Sequence, residues 1–252
     1  MSNVIVFGEG GYRYIEGVFQ YSAGVAAQVG FEIERVRLAP PLPMAQGFAA
    51  VEAHLTSIGR PSTAVCACEL RSPAPFTERE FVRFNRDYVQ TLERWGLYND
   101  GTNPVARTNV CPEFNKPAEP SLYAFSYTVP AVPTQDARGS FIIAGGGEAR
   151  EGAGEYRDSI VRLGDISIDG LRDKLRFVMV EMESRLTALG FDWRDAISTQ
   201  AYTVHDIGPL VREEIAGKGA AAGGLEWHFC RPPVVDIEFE MDVRGAAREA
   251  VL

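Results

Sequence analysis

The sequence is poor in metal-binding and redox residues. It holds three histidines and four cysteines in 252 residues, and none of Cys66, Cys68, Cys111 and Cys230 stands in a CxxC pair. A histidine-rich metal centre is thereby excluded, and the thiols read as free groups of a reducing compartment rather than as bridges. Positive charge is also short: 25 Lys and Arg against 34 Asp and Glu give a net charge of -9. With no basic stripe to meet a phosphate backbone, nucleic acid is not an expected partner. No apolar run approaches the roughly 20 residues that cross a bilayer, and the opening MSNVIVFGEGG lacks a charged region followed by an apolar one. The expectation is a soluble, cytoplasmic protein with no membrane partner. The glycine clusters GEGG at Gly8 and GGGEAREGAGE at Gly145 do not fit the GxxxxGK[ST] of a phosphate loop. They read as turning loops, the stretch Gly145–Gly154 as a candidate lid, and neither metal nor cofactor is expected.

What the sequence does contain is a repeat. VEAHLTSIG from Val51 and MESRLTALG from Met182 share Glu, Leu, Thr and the closing Gly in register. Each closes an amphipathic helix, predicted over Met44 to Ile58 and Gly170 to Leu189, and in the second Leu171, Leu175, Val178, Met182 and Leu186 share one face. The segment before each helix reads as strand, YRYIEGVFQYSAGVA in one half and GSFIIAGGGEA in the other. A strand follows each helix, TAVCACEL and AISTQAYTV, and then a second helical segment. The first such segment opens at Thr77 with Glu80 as a capping box; IGPLVREEIAG is its shorter partner. Two strands close each half, NPVARTNVCP with SLYAFSYTVP, and LEWHFCRPP with VVDIEFEMDV. The order predicts an α+β protein of two tandem domains, 1–133 and 138–252, each a mixed sheet with two helices on one face.

The strand ending FIIAGG, the helix closing LTALG, the strand followed by His-Asp and the terminal DIEFEMDV together resemble the YjgF/RidA family of enamine and imine deaminases, with its chorismate-mutase-like fold. Within that group, GGYRYIEGVFQYSAGVAA and CELRSPAPFTEREFVRFN resemble the 2-aminomuconate and 2-amino-5-chloromuconate deaminases of aromatic catabolism. NPVARTNVCPEFNKPAEPS and FCRPPVVDIE are similar, more distantly, to chorismatases. The resemblance implies a deaminase acting on a small carboxylated enamine or imine, with pyruvate release from chorismate or cofactor-free metabolite binding without turnover as alternatives. It also implies sites between neighbouring domains. A threefold ring of such units is not completed by one two-domain chain, so a homo-oligomer is expected.

Such chemistry needs a carboxylate clamp and a proton carrier. A guanidinium meets a carboxylate with two parallel hydrogen bonds, and Arg107, in an apolar strand context and at the position of the family's carboxylate-binding arginine, is the first candidate. A surface strand arginine is the plain alternative. Arg231 in FCRPP is the second candidate, against a snorkelling edge residue. Asn109 is a possible donor to the substrate, and His228 either orients substrate or is structural. For acid-base work, Glu240 and Glu238 lie two apart in a predicted strand and therefore on one face, in a row with Asp236 and Asp242. A solvent-facing acidic strand is the alternative. Aligning Phe239 with Phe125 sets Ser126 against Glu240, while no arginine of the second half matches Arg107. One composite pocket, with Arg107 from one half and Glu240 or Glu238 from the other, follows as the expectation. Cys111 and Cys230 read as small core residues.

Overall fold

The computed structural model describes residues 3–132, 139–150 and 154–252. In chain order the elements are β1 (Val4–Phe7), β2 (Tyr12–Ile15), β3 (Gly24–Ala27), β4 (Phe31–Pro43), α1 (Met44–Ser57), β5 (Val65–Arg71), α2 (Glu78–Arg94), β6 (Ala106–Pro112) and β7 (Ser121–Pro130). There follow β8 (Phe141–Gly147), α3 (Tyr156–Ser159), α4 (Ile168–Ala188), β9 (Ser198–Tyr202), α5 (Gly208–Leu210), β10 (Leu225–His228), β11 (Cys230–Arg231), β12 (Glu240–Gly245) and β13 (Arg248–Val251). Among the described residues no helix is long and apolar enough to cross a membrane.

The helices begin and end where local chemistry dictates. Thr77 accepts the N–H of Glu80 while the Glu80 side chain accepts the N–H of Thr77, the reciprocal cap that satisfies two orphan donors of α2. Gly59 and Gly190, just beyond α1 and α4, take φ of 68° and 83°, a left-handed turn that costs glycine nothing. One face of α4 buries Leu171, Leu175, Val178, Met182 and Leu186 against β8 and β12. At about 1.5 to 3 kcal/mol for each side chain removed from water, that stripe fixes the helix to its sheet.

Two mixed sheets result, one ordered β1-β2-β3-β8-β12-β9-β10 and the other β11-β6-β5-β7-β4-β13. Within them the runs β6-β5-β7-β4 and β10-β9-β12-β8 are the same motif, a parallel pair (β5 with β6, β9 with β10) followed by antiparallel neighbours. Helices α1 and α2 pack on the outer face of one sheet and α4 on that of the other. The second half's second helix shrinks to α5 and a π-helical turn over Val211–Ile215. Tyr12, Val25, Ala67, Ala106, Ile142 and Ala144 fill part of the space between the sheets.

Several expectations change here. The counterpart of β8 is the 13-residue β4, whose FEIERVRLAPPLP runs through prolines, and not YRYIEGVFQYSAGVA. That earlier stretch forms β2 and β3, which join the sheet of the second half through β8, while β13 joins β4 in the first. A cut between 1–133 and 138–252 therefore passes through both sheets. Gly145, Gly146 and Gly147 lie in β8 rather than in a loop; part of the proposed Gly145–Gly154 lid, residues 151–153, lies outside the described residues. The strand expected over DIEFEMDV begins only at Glu240, because Asp236 turns with φ of 72°.

Candidate active site

Arg107 stands on β6 with its side chain against α2 and is 3% exposed. Helix α2 turns Phe81, Phe84, Asn85 and Tyr88 towards it, residues at i, i+3, i+4 and i+7 and therefore on one face. The guanidinium carbon lies 4.9 Å from the Tyr88 ring centre, 5.5 Å from Phe81 and 5.9 Å from Phe84, and Tyr21 supplies a fourth ring at 4.9 Å. Its Nη1 donates to Asn85 Oδ1 at 2.6 Å. Among the described residues no carboxylate forms an ion pair with it. Desolvated beside aromatic faces, a guanidinium gains cation-π energy of about 2 kcal/mol.

Glu240, the first residue of β12, is 5% exposed and lines the same cavity as Arg107. That cavity measures about 30 Å³, and its walls include Tyr21, Phe81, Tyr156, Ile237 and the β8 glycines Gly145 and Gly147. The glycines are there for space. A side chain at Gly145 would collide with Glu240 Oε1, and one at Gly147 would come within 2.8 Å of Ile237 Cγ2. Gly146 faces the other way, where a side chain would meet Met182 and the guanidinium of Arg185, which donates to Ala144 O at 3.2 Å. The Gly145 N–H donates to Thr108 Oγ1 (3.1 Å), and Thr108 donates to Asp242 Oδ2 (2.9 Å), so β8 and β12 are tied to β6 beside the cavity.

A model of one family, the 2-aminomuconate deaminase CnbZ, matches residues 4–250. The chain belongs to that family. It is thus an enzyme, a CnbZ-type deaminase, and its likeness to a named relative runs the full length. The 2-amino-5-chloromuconate deaminase of Comamonas testosteroni is 60% identical over 252 residues, covering 100% of both chains. Among solved structures, a chorismatase aligns over 88% of this chain and 77% of its own at 13% identity and a TM-score of 0.48. E. coli TdcF with bound serine aligns over 47% and 88%, at 15% identity and a TM-score of 0.33.

The remaining sequence candidates of this CnbZ-family chain lie away from the cavity. Glu238 precedes β12 and accepts or shares a proton with His205 Nε2 at 2.7 Å, so the row of Asp236, Glu238, Glu240 and Asp242 is broken. Nor is the strand solvent-facing, since Glu240 and Asp242 are both buried. Asn109 accepts from Ser72 Oγ at 3.0 Å and leaves its buried Nδ2 without a partner. Arg231, on the edge strand β11, donates to Glu113 at 3.2 Å. His228 stacks on Tyr202 at 4.9 Å and meets Gln200 Oε1 at 2.7 Å, in a separate cleft; burial, with Arg71 nearby, holds its pKa below the ordinary value. Ser126 does not match Glu240: it pairs with Ala67 near the start of β5, whereas Glu240 pairs with Tyr202 at the end of β9. Burial, with Glu240 nearby, pushes the Cys111 thiol up to about 12, so it is no thiolate nucleophile at neutral pH.

Sequence reasoning misses Asn85 and Tyr156, whereas Tyr21 is one of three tyrosines, with Tyr12 and Tyr14, that read from the sequence as core or sheet residues of which one could line a pocket. The stripe Phe81, Phe84, Asn85, Tyr88 carried a signal, an amide set among aromatics at helical spacing.

Proposed function

We propose that the chain hydrolyses a 2-aminomuconate to the corresponding oxo acid and ammonia in the cavity shared by Arg107 and Glu240. The observation that carries this reading is Arg107 itself, a buried cation whose side-chain hydrogen-bond partner is a neutral amide. A substrate carboxylate supplies the missing charge and takes the guanidinium's free N–H groups, a gain of about 1.5 to 3 kcal/mol for a hydrogen bond to a charged group. Glu240 lines the same small space, where a carboxyl group can carry protons to and from the substrate. It delivers a proton to the enamine carbon, which turns the C–N bond into an imine. The carboxylate so formed takes a proton from the water that adds to the imine carbon, passes it to the nitrogen of the carbinolamine, and takes back the hydroxyl proton as the C–N bond breaks, ammonia leaves and the C=O forms. One water is consumed and one ammonia released, with no net redox change.

At about 30 Å³ the cavity is small for a six-carbon dicarboxylate, so substrate entry needs walls such as Tyr156 and Ile237 to part. The matching strand orders of the two halves support a further reading of the chain as tandem YjgF/RidA-like units. Incubation of purified protein with 2-aminomuconate is expected to release ammonia with saturation in substrate; a rate equal to buffer alone sinks the proposal.

A further inference from the structure

Buried arginines in proteins are usually matched by a carboxylate. Arg107 is matched by Asn85 instead. The Asn85 side chain is fully buried on α2, and only its Oδ1 can accept from a guanidinium, so the 2.6 Å contact fixes the amide with Nδ2 turned away from Arg107. That Nδ2 has no partner. A buried amide left half-satisfied costs stability, and aspartate, nearly identical in shape, would both remove the orphan donor and neutralise the arginine. The cheaper residue for folding is therefore absent from a position where it would fit.

We propose that Asn85 is a positioning residue for the substrate-binding arginine: it aims Arg107 through one hydrogen bond while leaving its positive charge unspent for the carboxylate of the substrate. The inference rests on the reading of Arg107 as the carboxylate clamp. An aspartate at position 85 would act as a built-in competitor, present at very high effective concentration. A serine there would leave the charge free but aim it less well.

The experiment compares Asn85→Asp with Asn85→Ser, using turnover of 2-aminomuconate and competitive inhibition by muconate, the same carbon chain without the amine. For Asn85→Asp, KM and the inhibition constant are expected to rise together by roughly tenfold to a hundredfold with kcat within about threefold of the parent, and Tm to be equal or higher. Asn85→Ser is expected to raise both constants by about threefold or less. The proposal is overturned if Asn85→Asp leaves both constants near the parent value, if Asn85→Ser raises them as much, or if Asn85→Asp lowers Tm. Arg107→Lys separates the layers. If it weakens capture while Asn85→Asp does not, only the role of Asn85 falls; if it too is without effect, Arg107 is not the clamp.

Discussion

Two groups of buried arginine divide this molecule. Between the sheets, Arg35 makes a two-pronged contact with Glu69 at 2.6 and 2.8 Å, and Arg244 reaches the same carboxylate at 2.9 Å and Asp242 at 3.2 Å. Arg71 adds to the field on Glu69 and stacks on Tyr123 at 3.9 Å. At the cavity, Arg107 has four rings and an amide. With Glu249 on Arg35 at 3.3 Å, the first group sets three carboxylates against three guanidinium groups and ties β4, β5 and β12 together. The second is open, and an open buried charge is what a charged ligand completes. Burial alone would have ranked these arginines alike; what separates them is whether a carboxylate lies in ion-pair contact with the guanidinium.

The comparison is tested most severely at Glu240. Glu240→Gln keeps shape and removes the proton carrier, so kcat is expected to fall by a factor on the order of 100 to 10,000, measured as ammonia release at saturating substrate. Arg107→Lys keeps charge but loses the planar fork; kcat/KM is expected to fall roughly tenfold to a hundredfold, mostly through KM. At the closed group the effect should pass to stability. Burial alone would raise the Glu69 carboxyl, but Arg244 and Arg35 outweigh it and hold it at about 2. Glu69→Gln leaves those cations under-matched and should cost about 3 to 5 kcal/mol in denaturant unfolding at pH 7, while the folded variant keeps its kcat. Because the folded pKa of Glu69 lies below its ordinary 4.5, its contribution is complete above that pH and is lost as pH falls towards 2. An acid-unfolding titration should therefore show the parent losing its advantage over Glu69→Gln within that window. The smallest effect is expected from Cys111→Ser, whose thiol titrates near 12 and takes no part in the chemistry; activity that disappears with this change, at unchanged Tm, would overturn that assignment.

The sequence made some of this legible and hid the rest for definable reasons. Helices α2 and α4 were readable because apolar spacing, the Thr77 cap and the closing Gly190 agree. Arg107 and Glu240 stood out by resemblance and by their place in the closing strands, and both line one cavity, although the alignment of Ser126 with Glu240 does not hold. Their partners were less legible: Tyr21 comes from the segment between β2 and β3 and Asn85 from α2, and nothing in their spacing joins them. The register error at Ser126 has a local cause, the irregularities between Val65 and Ala67 and between Glu69 and Leu70 in the β5–β7 ladder, which break any alignment by simple counting. The error at Glu238 has another. The alternation of the sequence runs back through Asp236, but there the backbone turns and the strand has not begun.

The crossing of segments between the two sheets also has a cost in time. Strand β3 lies against β8, with Gly24 opposite Ile143, so its partner is made roughly 120 residues later. At a ribosome adding about 5 to 20 residues per second, the delay is on the order of ten seconds. Throughout it Tyr12, Val25 and Ala26, all fully buried in the finished fold, are without their final neighbours. The β2–β3 hairpin thus presents an unpaired, apolar edge to other chains until β8 arrives.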